Sequence, residues 1–182
     1  MLRLVSLPGQ VAQDTFLEDI ALAADTPLER CMQCGKCSAG CPVGFAMDRL
    51  PNQVVHLVQL GLVESALDTE AIWLCASCET CTTRCPMEID LAAVMDALRQ
   101  KARQVKGRRA GGRVGVFHDA FLDSVKRYGR AHELGMVAML KLKTRDFFSD
   151  LGLGMKMFMK GKFRLLPQRV KAIRQVRGTF EE

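Results

Sequence analysis

The sequence predicts a mainly α-helical protein, in which a helical domain built around two copies of one cysteine loop is followed by a helical extension. Three observations predict it. Eight cysteines fall into two blocks of identical spacing, the flanking residues carry apolar positions at helical intervals, and a glycine-rich stretch separates them from a basic, Met-rich tail.

The first block is Cys31, Cys34, Cys37 and Cys41, followed by Pro42; the second is Cys75, Cys78, Cys81 and Cys85, followed by Pro86. Both read C-x2-C-x2-C-x3-C-P, and corresponding cysteines lie 44 positions apart, so the chain repeats a cofactor-binding unit. Three thiolates close together on a short loop cap three iron corners of a cubane, and the fourth corner needs a more distant sulfur. In two-cluster ferredoxins of this spacing the fourth cysteine of each block ligates the other block's cluster. Two [4Fe-4S] clusters are therefore expected. On the crossed pattern one takes Cys31, Cys34, Cys37 and Cys85, and the other takes Cys75, Cys78, Cys81 and Cys41, with Pro42 and Pro86 turning the chain away. Ligation by the local fourth cysteine is the alternative.

Other uses of eight cysteines fit poorly. Structural zinc takes separated C-x2-C pairs, and a third cysteine at the same interval before Cys-Pro departs from that pattern. The apolar start, Met1 to Leu7, is broken by Pro8 and Asp14 too early for a signal peptide, so a cytoplasmic location that keeps thiols reduced is expected, and disulfides are not. No cysteine is left over as a catalytic thiol, and the chain has no Gly-x-Gly-x-x-Gly, P-loop or nucleophile elbow. Saturated clusters move electrons and make no bonds. No catalytic residue is assigned, and the active site is expected on another polypeptide.

Taken from the N-terminus, a helix with Phe16, Leu17 and Ile20 inward precedes Cys31. The 33 residues between Cys41 and Cys75 also read as helix, with Asp48 as a cap, Pro51 near the start, and Val54, Val55, Val58 and Leu62 recurring up to Gly61 and beyond. After Pro86, Asp90 is placed to cap a helix with Leu91, Val94, Met95 and Leu98 inward, fading through the basic run Lys101 to Arg109. Residues 1–110 thus read as an α-helical ferredoxin domain. Gly107 to Gly112 is a boundary by composition.

Residues 111–182 read as a basic, Met-rich helical extension. Phe117, Phe121, Val125 and Tyr128 form an amphipathic stripe, and further helical stretches cover roughly 133–142, 146–160 and 167–177, the last opened by Pro167. Met136, Met139, Met155, Met157 and Met159 suit an irregular core or an interface. The extension either packs on the cluster domain or docks onto a partner protein; the amount of apolar surface favours docking.

Charge is uneven: residues 113–182 carry 15 Lys/Arg against 7 Asp/Glu, and residues 1–112 carry 11 against 13. A basic tail suits an acidic partner or an anionic surface. Nucleic acid is not expected, for want of a reading module or interleaved aromatics. No apolar stretch reaches the roughly 18 residues a spanning helix needs; peripheral membrane contact through Phe147, Phe148 and Phe158 is a lesser reading. Arg30, Lys36 and Arg84 flank cluster cysteines and either favour a reduced cluster or are ordinary solvated charge. His56, His118 and His132 receive no role.

The words Trp73-Leu-Cys-Ala-Ser-Cys-Glu-Thr-Cys-Thr-Thr-Arg-Cys-Pro86, Cys31-Met-Gln-Cys-Gly-Lys-Cys-Ser-Ala-Gly-Cys-Pro42 and Phe121-Leu-Asp-Ser-Val-Lys-Arg-Tyr-Gly-Arg130 resemble the small iron–sulfur component of heterodisulfide reductase, its C subunit, over nearly the whole chain. The cysteine pattern alone is shared with the iron–sulfur subunits of succinate dehydrogenase, fumarate reductase and glycolate oxidase. This chain lacks the plant-type cysteine set of the dehydrogenases and the Cys-Cys-Gly motifs of glycolate oxidase and of the heterodisulfide reductase catalytic subunit. The resemblance implies a non-catalytic electron-transfer protein, passing electrons between the flavin and iron–sulfur component of heterodisulfide reductase (its A subunit) and the component that cleaves a disulfide (its B subunit). It equally admits heterodisulfide-reductase-like complexes of sulfur oxidisers that run in the opposite direction, with an iron–sulfur protein of the glycolate oxidase or fumarate reductase type as the more distant alternative.

Overall fold

The computed structural model describes residues 8–107, 110–144, 151–161 and 169–180, which are helices and connecting turns with no strand among them. Met1 to Leu7, Arg108, Arg109, Phe147, Phe148 and Pro167 lie outside the described residues, as does the Phe158 side chain. The chain forms two compact units, Met1–Gly111 and Gly112–Glu182.

In the first unit α1 (Pro8–Ala23), α4 (Val63–Asp68) and α5 (Ala71–Leu74) pack on α7 (Leu91–Lys106), and α3 (Pro51–Gln59) packs on α1 and α4. The short helices α2 (Lys36–Ala39) and α6 (Thr80–Arg84) each follow a cysteine loop and pack on one another. Most of the core is where helical spacing placed it, although Leu17 of α1 is only half-buried. Phe16 and Ile20 of α1, Val54, Val55 and Val58 of α3, and Leu91, Val94, Met95 and Leu98 of α7 are all buried. Each such side chain contributes roughly 1.5–3 kcal/mol by leaving water.

The ends of these helices follow local chemistry. Asp90 caps α7 as expected, accepting at Oδ1 from the Ala93 amide at 3.0 Å. Asp48 does something other than cap α3. Leu50 holds that position, with the Gln53 side chain accepting from its amide at 2.9 Å, while Asp48 reaches forward to the start of α5, taking bonds from the Thr69 hydroxyl (2.8 Å) and the Ala71 amide (2.9 Å). Partial burial pushes the Asp48 carboxyl up, but the bonds from Thr69 and from the Glu70, Ala71 and Arg49 amides outweigh it and hold the group below its ordinary value.

Helix α3 also stops sooner than its pattern suggests. Gly61, at φ +65°, donates to the Val58 carbonyl (3.0 Å) and Leu62 to that of Leu57 (2.9 Å), a nested pair that closes the helix in left-handed backbone. Leu62 therefore lies beyond the helix and is exposed.

Trp73 is buried in the first unit, with the Arg103 guanidinium 4.9 Å from its ring centroid. Gly111, at φ +81°, lies against the same ring, where a Cβ would stand 2.5 Å from Cε2.

In the second unit α8 (Gly112–Tyr128) packs on α9 (Glu133–Thr144) and α11 (Ile173–Gly178), and α10 covers Leu151–Met159. Helix α8 buries Gly115, Ala120 and Ser124, and Ser124 accepts at Oγ from the His132 amide at 2.8 Å. Phe117 and Phe121, by contrast, are each 41% exposed, so half of the aromatic stripe faces outward. No described helix is long and apolar enough to cross a membrane.

Candidate iron–sulfur site

Both cysteine loops have the same backbone. In each, the residues on either side of the second cysteine are left-handed: Gln33 (φ +56°) and Gly35 (φ +76°) flank Cys34, and Ser77 (φ +49°) and Glu79 (φ +60°) flank Cys78. Alternating handedness turns successive amides to one side and makes a concavity of N–H groups suited to an anionic group. A short helix then begins, so that Cys37 and Cys81 are each the second residue of α2 and α6, beside amides with no helical partner. Glu79 holds its strained conformation although it has a side chain, where the first loop uses glycine.

The eight thiols are free, and the structure gathers them four by four around two cavities. Cys31, Cys34, Cys37 and Cys85 line one, of about 340 Å³, with Gln33, Asn52 and Ile89 among its other walls. Cys75, Cys78, Cys81 and Cys41 line the other, of about 370 Å³, against Met47, Pro51, Ala92 and Met95. Each block lends its fourth cysteine to the other block's cavity.

A cubane cluster asks for four thiolates set around a volume, in largely apolar surroundings and with few competing ligands. The residues present meet that requirement. Among the described residues no three His, Cys, Asp or Glu side chains draw together closely enough to hold a single ion.

The cysteines differ in exposure. The second of each block, Cys34 and Cys78, is exposed, Cys37 is buried, and the others are intermediate. Burial pushes the Cys37 and Cys81 thiols up, against hydrogen bonds from Ser38 and Thr82, whereas the bonds between Cys78 and Thr80 bring the exposed Cys78 thiol down.

A polar network borders the first loop. Gln33 donates from Nε2 to Cys31 Sγ (3.4 Å) and to Gln59 Oε1 (3.0 Å), and Asn52 donates to Gln33 Oε1 (3.4 Å). Its polarity is fixed from the backbone. Gln59 gives its own Nε2 to the carbonyls of Leu28 and Cys31, so its oxygen must face Gln33; at the other end the Asn52 amide donates to Ser38 Oγ, which donates back to Asn52 Oδ1. At the second loop Arg99 of α7 donates from Nε to the Ile72 carbonyl (2.8 Å) and from Nη2 to that of Cys75 (3.2 Å). Gln33, Asn52, Gln59 and Arg99 carried no signal in the cysteine pattern; the one available hint was that Asn52 and Gln59, seven apart, share a face of α3. Arg30, Lys36 and Arg84, which the pattern did single out, are exposed.

Residues 27–89 match the family described as the 4Fe-4S dicluster domain. The chain is 32% identical over 87 residues to the C subunit of the H(2):CoB-CoM heterodisulfide,ferredoxin reductase of Methanothermobacter thermautotrophicus, covering 48% of this chain and 47% of that protein. It is 35% identical over 104 residues to the second iron-sulfur C subunit of the CoB--CoM heterodisulfide reductase of Methanocaldococcus jannaschii, covering 57% and 52%. With the C subunit of the ferredoxin:CoB-CoM heterodisulfide reductase of Methanosarcina acetivorans it shares 37% over 89 residues, covering 49% and 36%. The chain spans about half the length of the first two relatives. The likeness is thus narrower than the near-complete one suggested by the sequence words.

Proposed function

We propose that this chain, which carries a 4Fe-4S dicluster domain at residues 27–89, is the electron-transfer subunit of a heterodisulfide reductase or of a complex built like one. The observation that carries this reading is the grouping of eight free thiols, four by four, around two cavities. Each set would hold one [4Fe-4S] cluster, on the crossed pattern of Cys31, Cys34, Cys37 and Cys85 against Cys75, Cys78, Cys81 and Cys41. Bound there, the clusters supply one-electron transfer.

The chain's own residues do the rest. The left-handed loop positions aim backbone amides at the anionic group, the apolar walls exclude water, and the crossed fourth cysteines tie the two halves of the domain together. The exposed Cys34 and Cys78 mark the edges where electrons reach a neighbouring protein. The partners in this reading are a flavin and iron–sulfur protein as donor and a disulfide-cleaving protein with Cys-Cys-Gly motifs as acceptor, in the cytoplasm. The basic second unit, with Phe117, Phe121 and Leu122 exposed, supplies a docking face for one of them.

Isolation of the native complex through this chain tests the reading. Proteins carrying a flavin-binding and a Cys-Cys-Gly signature should accompany it, and disulfide reduction should require all three. Turnover of the disulfide by this chain alone would overturn it.

A further inference from the structure

The 44-residue repeat makes Leu28 equivalent to Ile72 and Cys31 equivalent to Cys75. The structure holds the carbonyls of these two pairs by different means. Gln59 Nε2 binds those of Leu28 (3.3 Å) and Cys31 (3.1 Å), whereas the guanidinium of Arg99 binds those of Ile72 (2.8 Å) and Cys75 (3.2 Å). A neutral amide does in one loop what a cation does in the other.

A guanidinium offers a delocalised positive charge in a rigid fork of donors, which a neutral amide does not. The Arg99 side chain is 20% exposed, and its acidic neighbour, Asp96, is 3.8 Å away and 54% exposed, so water weakens the compensation more than it weakens Arg99. The other cations beside the loops, Arg30, Lys36 and Arg84, are all exposed and screened. Neutral side-chain contacts to sulfur occur at both sites: Gln33 Nε2 donates to Cys31 Sγ (3.4 Å) and Ser38 Oγ lies 3.9 Å from Cys37 Sγ, while the Cys78 thiol donates to Thr80 Oγ1 (3.4 Å), a hydroxyl that can turn to donate to a thiolate. Lys36 lines the first cavity but is exposed, and the part-buried Asp90 carboxylate reaches the second loop through the Thr82 hydroxyl (3.0 Å), whereas Arg99 is a cation bonded directly to the backbone of a loop cysteine.

An electron added to an iron–sulfur group adds one negative charge, and a nearby half-buried cation favours the charged product. We propose that Arg99 makes the site of Cys75, Cys78, Cys81 and Cys41 the easier of the two to reduce, so that a single electron entering the chain settles there. Arg99 acts through the backbone of Cys75 and is a positioning and potential-setting residue. The inference rests on the cluster assignment above and adds an order to it: the other site, of Cys31, Cys34, Cys37 and Cys85, is the one that gives the electron up more readily.

The test is an anaerobic redox titration of the full chain, using dithionite as reductant and following the paramagnetic signals. Wild-type protein should reduce in two steps. Arg99→Gln should lower the upper step by about tenfold in the reduction equilibrium, or 59 mV for one electron, and leave the lower step in place. Arg99→Lys, which keeps the charge and loses the fork, should retain most of the wild-type upper step, as a merely structural clamp would not. Gln33→Leu should lower the other step and widen the gap. A shift of the lower step in Arg99→Gln, or no shift in either variant of Arg99, overturns the inference while leaving the cluster assignment intact. Wild-type protein with no acid-labile sulfide overturns both.

Discussion

A side chain added at Gly40 would stand 2.8 Å from Cζ of Arg84, the residue that occupies its own equivalent position in the second repeat. The two repeats therefore meet where α2 crosses α6, with the small residue of one beneath the long residue of the other. Close approach there is what brings Cys41 and Cys85 to the opposite cavities.

The crossing predicts a coupled pair of mutations. Gly40→Ala should cost at most about 1 kcal/mol, since the Arg84 side chain it displaces is exposed, and the cost should vanish in an Arg84→Ala background. Thermal loss of visible absorption in the four proteins reads the cycle. Equal costs in both backgrounds would mean that the two residues do not constrain one another.

The left-handed loop positions predict an asymmetry between repeats. Gly35→Ala should destabilise the first loop by about 1 kcal/mol, since a Cβ at positive φ costs that much. Glu79→Gly, at the equivalent position of the second loop, should be neutral or stabilising by a few tenths of a kcal/mol, because relief of strain is offset by the entropy of glycine. The same thermal measurement ranks them; a strongly destabilised Glu79→Gly would assign the carboxylate a direct role.

Asp90 joins three segments. Oδ1 accepts from the Ala93 amide and the Thr82 hydroxyl, both at 3.0 Å, and its own amide donates to Thr26 Oγ1 at 2.9 Å. Asp90→Ala should cost about 1–2 kcal/mol, and Asp90→Ser should recover part of it. Thermal midpoints separate the two; identical losses would show that the cap bond to Ala93 is not what matters.

The legible and illegible parts of this fold divide by sequence distance. The cysteine repeat, the Asp90 cap and the buried faces of α3 and α7 follow from periodicity and local bonding, and the eight candidate ligands were all visible from spacing. Leu62 was misplaced because a nested pair of turn bonds at Gly61, a local event with a weak signal, ended the helix early. Arg99 and Gln59 were invisible, because their partners are carbonyls 24 to 31 positions away and any residue supplies a carbonyl. In α8 the apolar stripe was legible, but not that Ala120 and Ser124, rather than Phe117 and Phe121, would be covered.

Crossed ligation makes a spectroscopic prediction. Cys85→Ser should change the signal of the cluster built on Cys31, Cys34 and Cys37, and Cys41→Ser that of the cluster built on Cys75, Cys78 and Cys81. If each substitution instead altered the cluster of its own block, the fourth cysteines would bind locally.

Iron and acid-labile sulfide, counted in the anaerobically isolated chain, test the central claim most directly. Two cubanes require about eight of each per polypeptide. A colourless protein with no sulfide, or one carrying stoichiometric zinc in its place, would contradict the account.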